Sequence, residues 1–206
     1  EALIRYITKE GVEIAPYNFI NVAKKTKLYP NIIKIVIQDA FRLIKNKNKR
    51  VSVNISFDDI ANEETTAFIY EILELNKEYT EFLEFEILES EEISDFNEVS
   101  KFIAEIKKFN CIVGVDDFGA GYSNFNLLTL LDIDFVKIDG SLIEKINTSK
   151  DLEIIVNTIA NFSKEFKVKT VAEYVSNEDI YNKIKELNID YCQGYYFDKP
   201  LCYDAI

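Results

Sequence analysis

Along the chain, short apolar runs bounded by polar residues alternate with longer stretches in which apolar positions recur every three or four residues. The runs read as buried strands and the stretches as amphipathic helices. Strands are predicted over residues 2–7, 51–55, 82–88, 111–115, 135–138 and 168–172, with a short last one near Tyr191. Between them fall a short helix over 16–25, entered through Pro16, and a longer one that Pro30 opens and that carries Ile33, Ile37, Ala40, Phe41 and Ile44 on one side. Further helices are predicted over 64–75, 97–109, 125–130, 151–166 and 177–187, the last capped by Ser176 or Asn177. Strands separated by helices of this length are parallel-sheet units. About seven of them, with no linker or low-complexity stretch, predict an α/β chain forming one closed barrel domain over 1–206.

The polar residues interrupting this pattern gather at strand ends. Glu1 stands at the start of the first strand, and Asn54 and Glu86 lie late in theirs. Asp116 and Asp117 follow the strand over 111–115, Lys137 and Asp139 end the next, and Glu173 ends the one after. In a barrel the carboxyl ends of the strands meet at one mouth, where such folds build their sites. Several like charges brought together there carry a cost that cations or catalysis would justify. Each residue also has a plainer role open to it. Asp139, before Gly140 and Ser141, is suited to capping a turn or helix; Asn54 can bond a neighbouring strand, and Lys137 can form a static ion pair. A strand alternates faces, so Asp116 and Asp117 reach one site only if the strand ends there.

Composition narrows the chemistry. The chain has 206 residues, 36 acidic against 24 basic side chains and no histidine. A formal charge of −12 argues against an extended DNA- or RNA-binding face, which needs a basic footprint. Without imidazole, a metal must be held by oxygens, which favours Mg²⁺, Mn²⁺ or Ca²⁺. Cys111, Cys192 and Cys202 show no metal-ligand spacing and read as free thiols, as in a reducing, cytoplasmic compartment. No apolar run is long enough to span a membrane, and no signal-peptide pattern opens the chain, so no membrane contact is expected of this domain. The glycines of Asp117-Phe118-Gly119-Ala120-Gly121-Tyr122-Ser123 permit a tight loop, but neither a dinucleotide fingerprint nor a P-loop is present.

Seven stretches taken together resemble the EAL-type cyclic di-guanylate phosphodiesterase family. They are Glu1-Ala2-Leu3-Ile4-Arg5, Val53-Asn54-Ile55-Ser56, Glu86-Ile87-Leu88-Glu89-Ser90, Asp116 to Ser123, Val136-Lys137-Ile138-Asp139, Val171-Ala172-Glu173 and Gln193-Gly194-Tyr195-Tyr196-Phe197. They follow the family's order and span almost the whole chain. The implied fold is a modified TIM-type (β/α)8 barrel. Because the chain starts at Glu1, its first strand is expected to be missing or truncated. The implied reaction is hydrolysis of one 3',5'-phosphodiester bond of cyclic di-GMP to linear pGpG with two Mg²⁺ or Mn²⁺ ions, Ca²⁺ being expected to inhibit.

By the same resemblance Glu1, Asn54, Glu86 and Asp116 would hold one ion, with Asp116 bridging to a second served by Asp117 and Glu173. Lys137 would hold or deprotonate the attacking water. As a base it would need its pKa pushed down; as a cation it would orient the nucleophile and offset charge. Asp139 and Gln193 would line the site and place water, Glu89 would anchor the loop after its strand, and Leu3 and Arg5 would meet the substrate, Arg5 at a phosphate. The resemblance also implies a homodimer behind a sensory or diguanylate-cyclase-like domain. Where the family carries Glu-Gly-Val-Glu, this chain has Glu173-Tyr174-Val175-Ser176. Two other roles are open to a barrel of this kind: a degenerate receptor that binds cyclic di-GMP without turning it over, and a protein-interaction module.

Overall fold

A computed structural model describes residues 1–26, 29–88, 96–120 and 125–202. The chain opens with a small antiparallel ribbon, β1 (Tyr6–Ile7) paired with β2 (Glu13–Ile14). A 3-10 turn over Pro16–Asn18 and the short α1 (Ile20–Ala23) lead to the long α2 (Tyr29–Lys47). From there strands and helices alternate: β3 (Val51–Ile55), α3 (Phe57–Ala61), α4 (Glu63–Leu75), β4 (Leu83–Leu88), α5 (Phe96–Lys107) and β5 (Ile112–Phe118). They continue with α6 (Asn126–Leu130), β6 (Phe135–Ile138), α7 (Gly140–Glu144), α8 (Lys150–Glu165), β7 (Lys169–Ala172), α9 (Glu178–Glu186) and β8 (Tyr191–Cys192).

The six strands β3 to β8 form one parallel sheet in sequential order, each joined to the next by helical crossovers. This is the wall of a modified (β/α)8 barrel, as expected. Ahead of β1, the Ala2 amide donates to the Ser52 carbonyl at 2.8 Å, laying the first residues along the free edge of β3. The predicted strand over 2–7 is thus reduced to Tyr6–Ile7, whose residues are exposed and pair with β2. The apolar face of α2 predicted from sequence is the buried one. Phe85, Phe102 and Phe118 are among the largest fully buried side chains, with Phe85 and Phe102 meeting edge to face at 6.0 Å. Each such side chain contributes roughly 1.5–3 kcal/mol by leaving water.

Two short helices escaped the periodicity. Ser56 and Asp59 cap α3 reciprocally, and Asp139 opens α7 by accepting from the Ser141 amide at 2.9 Å. Asn177 caps α9 through the Ile180 amide, one of the two residues expected to do so.

Strand β5 also differs from expectation. Its predicted end at residue 115 was set by the two aspartates, yet the strand runs on to Phe118, whose buried ring packs edge to face on Phe125 at 5.5 Å. Gly114 makes room beside it. A Cβ there would lie 2.3 Å from the Phe135 ring, so only glycine lets that ring cross the strand.

Candidate metal and phosphodiester site

The strand register sets the site. Asn54 on β3 pairs with Glu86 on β4, and Glu86 with Gly114 on β5. In-register residues of parallel neighbours face the same side, as do residues two apart. Asp116 is therefore on the same face two residues above Gly114. Lys137 stands two above Phe135, the partner of Gly114, and Glu173 stands two above Val171, the partner of Lys137. Gln193 lies two beyond Tyr191, the partner of Val171. Six polar side chains from six strands thus share one face and climb towards the carboxyl ends from β3 to β8.

Asp117 should point the other way. The register between β5 and β6 shifts between Val115 and Phe118, and Asp117 takes a left-handed φ of 56°. A bulge of this kind re-aims a side chain. It brings both aspartates to one mouth without ending the strand, which was the condition the sequence imposed.

At the centre lies Lys137, 2% exposed. Its Nζ is 2.8 Å from Asp116 Oδ1, 2.9 Å from Glu173 Oε1, 3.0 Å from Glu86 Oε2 and 3.6 Å from Glu1 Oε2. Asn54 Nδ2 donates to Glu1 Oε1 at 2.6 Å, and Gln193 Nε2 to Glu173 Oε1 at 2.7 Å. Burial pushes the Glu86 carboxyl up to about 7, an effect that Lys137 opposes and that Glu1 and Asp116 reinforce. Glu173 is raised to about 7, first by burial, with Lys137 opposing. Asp117 is raised to about 6 by burial and by Asp116 and Asp139. For Lys137, burial works to lower the pKa, but Glu86, Glu1, Asp116 and Glu173 outweigh it and hold the ammonium well above the ordinary lysine range. Of the two roles open to it, the cationic one is the role these surroundings favour.

The carboxylates fall into two groups able to hold a cation: Glu1, Glu86 and Asp116, and Asp116, Asp117 and Glu173. Within each, the oxygens lie within 4.8 Å of one another, and Asp116 belongs to both. Asn54 Oδ1 and Asp116 Oδ1 are buried and accept no hydrogen bond among the described residues, Asp116 Oδ1 having only its ion pair with Lys137. Orphaned acceptors are costly unless something else binds them. An all-oxygen donor set with such orphans fits a hard divalent cation.

The other predicted residues are placed unevenly. Leu3 lines a cavity of about 630 Å³ that opens over Asp116, Asp117, Lys137, Glu173 and Gln193. Asp139 caps α7 and stands beside Asp117. Arg5 is not in the cavity wall; its Nη1 donates to the carbonyls of Leu3 at 3.2 Å and Ile4 at 3.1 Å. Glu89 lies outside the described residues. Sequence reasoning missed Ser52, whose buried side chain hydrogen-bonds Glu86 and lowers its pKa, and it missed Asp198 and Lys199 in the wall. Ser52 sits two residues before Asn54 on β3, so the strand's period of two was the available signal; no pattern marked the other two.

A model of the EAL domain matches residues 1–200. The chain belongs to the EAL domain family. It is 31% identical over 205 residues to the cyclic di-GMP phosphodiesterase PdeA of Borreliella burgdorferi, covering 97% of this chain and 31% of that protein. It is 30% identical over 206 residues to the cyclic di-GMP phosphodiesterase PdeF of Escherichia coli, covering 97% of this chain and 27% of that protein. The chain therefore spans about a quarter to a third of the length of these relatives. The EAL domain protein of Listeria monocytogenes EGD-e superposes with a TM-score of 0.86 at 29% identity, over 98% of this chain and 81% of that one. Among the described residues, no helix is long and apolar enough to cross a membrane.

Proposed function

We propose that this EAL domain, taken as one unit over 1–206, hydrolyses one 3',5'-phosphodiester bond of cyclic di-GMP to give pGpG, with Mg²⁺ or Mn²⁺ as cofactor. The observation that carries this is the Lys137 ammonium among carboxylates of four different segments, beside two carboxylate groups that share Asp116. Two relatives named as cyclic di-GMP phosphodiesterases, matched along nearly the whole of this chain, support the choice of substrate.

Glu1, Asn54, Glu86 and Asp116 would hold one ion, and Asp116, Asp117 and Glu173 the other. When bound, such ions neutralise the phosphodiester's oxygens and acidify an attacking water. The chain's own part is positional and electrostatic. Lys137 Nζ donates to the attacking oxygen and offsets charge as it builds on the phosphoryl group. Gln193 fixes the rotamer of Glu173, and Asn54 that of Glu1. Leu3 packs on the substrate from the cavity wall, and Asp139, beside Asp117, lines the site and places water. Glu89, as anchor of the loop after β4, and Arg5, as a phosphate contact reached by a rotamer change, belong to the same proposal. So do a homodimer, an upstream sensory or diguanylate-cyclase-like domain and a cytoplasmic site of action, all of which rest on the family alone.

The test is incubation of the purified domain with cyclic di-GMP and Mg²⁺ or Mn²⁺, then with chelator, resolving products by chromatography. Metal-dependent pGpG is expected. Retention of intact ligand by a folded sample without product would mark a receptor, and no binding at all would sink the proposal.

A further inference from the structure

Tyr174 follows Glu173 directly and adopts a φ of 53°. That left-handed conformation costs a bulky side chain free energy that glycine does not incur. The chain nevertheless places a phenol ring there, and it commits a second position to it. A Cβ on Gly140, the first residue of α7, would lie 2.2 Å from Tyr174 Cδ2, so the ring rests where only glycine leaves room. None of this serves the core, since Tyr174 is 70% exposed. Its ring instead forms part of the wall of the cavity over Lys137 and Glu173, with Tyr195, itself exposed, in the same wall. Strain held at a site margin for the sake of an exposed aromatic surface points to a ligand.

The geometry also limits what that ligand is. The residue next to Tyr174 in sequence, Glu173, belongs to the carboxylate cluster that would hold the scissile phosphodiester, and both residues line the same cavity. In a dinucleotide the flat apolar group that flanks the phosphodiester is a nucleobase, and flat π faces stack on tyrosine with little regard to sequence. We infer that the Tyr174 ring is the platform on which one purine of the dinucleotide stacks, making Tyr174 a substrate-positioning residue peculiar to a chain that has replaced glycine here. The inference rests on the phosphodiesterase reading above.

Two measurements test it. Tyr174→Gly accepts the left-handed φ readily, so the variant folds. It is expected to raise KM for cyclic di-GMP about tenfold, the loss of one base-stacking contact, with kcat retained, and Tyr174→Phe is expected to restore the wild-type KM. Because the chain contains no tryptophan, Tyr174→Trp provides a single indole. Its emission should be quenched saturably by cyclic di-GMP, with Ca²⁺ in place of Mg²⁺ to suppress turnover. Phe166→Trp, at the end of α8 that leads into the start of β7 and so at the opposite end of the sheet from the site, should not respond. Wild-type turnover with an unchanged KM in Tyr174→Gly overturns the stacking alone. Emission that follows protein concentration instead of nucleotide overturns it in favour of a contact between copies of the chain. A wild-type chain that neither binds nor hydrolyses the dinucleotide overturns the functional proposal, and this inference with it.

Discussion

At the amino ends of its strands the sheet carries Asp134 and Asp190; at the carboxyl ends it carries Glu86, Asp116, Asp117 and Glu173, joined by Glu1. The two ends treat the same kind of side chain differently. Asp134 accepts the Val113 amide at 2.8 Å and pairs with Lys107 at 2.8 Å; Asp190 accepts the Thr170 amide at 3.0 Å and pairs with Lys169 at 2.6 Å. Each acid there has its own amide and a close lysine, though Lys107 also reaches Asp132 at 3.5 Å. Burial works to raise the Asp190 carboxyl, but the bonds from Lys169 and Thr170 prevail and hold it below the ordinary range. At the other end one buried lysine serves four carboxylates, and Glu86 and Glu173 are pushed up to about 7. One end is matched for folding. The other is left short of positive charge, which is what binding cations would require.

The sharpest way to break this comparison is at Lys137. Lys137→Ala should cut kcat for cyclic di-GMP by roughly 10²–10³-fold, the range seen when a donor to developing charge is removed, while leaving measurable substrate affinity. Steady-state kinetics on the folded variant, checked by circular dichroism, decides it. Unchanged turnover would reduce Lys137 to a static ion pair.

Next in size is Glu86→Gln. It removes one carboxylate from the first group and should weaken Mg²⁺ or Mn²⁺ binding by at least about tenfold, measured by calorimetric titration. An unchanged titration would take Glu86 out of the ligand set.

What the sequence revealed of this contrast, and what it did not, has a physical pattern. A polar residue late in an apolar run, or one that stops it, is visible in the sequence, so Asn54, Glu86, Lys137 and Glu173 could be placed near strand ends from the chain alone. The shared face could not. It depends on the register between strands, and for Asp117 on a bulge and a left-handed φ that no periodicity encodes. Arg5's place at a phosphate rests on the resemblance alone; its guanidinium lies on the carbonyls of Leu3 and Ile4. Tyr174 stood out in the sequence only as a departure from a motif; its partnership with Gly140 needed coordinates. The short α3 and α7 were not read from the sequence, although Ser56, Asp59 and Asp139 were in place to cap them.

The third effect is a slope with pH. Glu86 and Glu173 have folded pKa values raised from 4.5 to about 7, so the folded state holds protons that the unfolded chain has released. Stability in chelator should therefore fall as pH rises from about 4.5 to about 7, with Asp117 adding in the same sense. The chain has no histidine, so the upper part of this window contains no ordinary titrating side chain to obscure the trend. Denaturant midpoints at pH 5 and pH 7 should differ in that direction, and saturating Mg²⁺ should reduce or reverse the difference by binding the ionised form. A rise in stability between pH 5 and pH 7 in chelator would mean that the site carboxylates are matched as Asp190 is.

The smallest effect comes from the amino end. Asp190→Asn keeps an oxygen for the Thr170 amide but loses the charge facing Lys169, whose side chain is more than half exposed. An exposed pair of this kind contributes little, so most of the loss comes from weakening a hydrogen bond to a carboxylate. Destabilisation of about 0.5–1.5 kcal/mol is expected, read from the denaturant midpoint, with kcat and the metal titration unchanged. The same amide substitution is thus predicted to act in opposite ways at the two ends of the sheet. At Asp190 it costs stability and spares function. At Glu86 it removes a carboxylate that burial already disfavours, so it should cost metal affinity while leaving the protein at pH 7 in chelator at least as stable as before. If the two substitutions destabilise alike and neither moves the metal titration, the acids at both ends are structural and the distinction between them collapses.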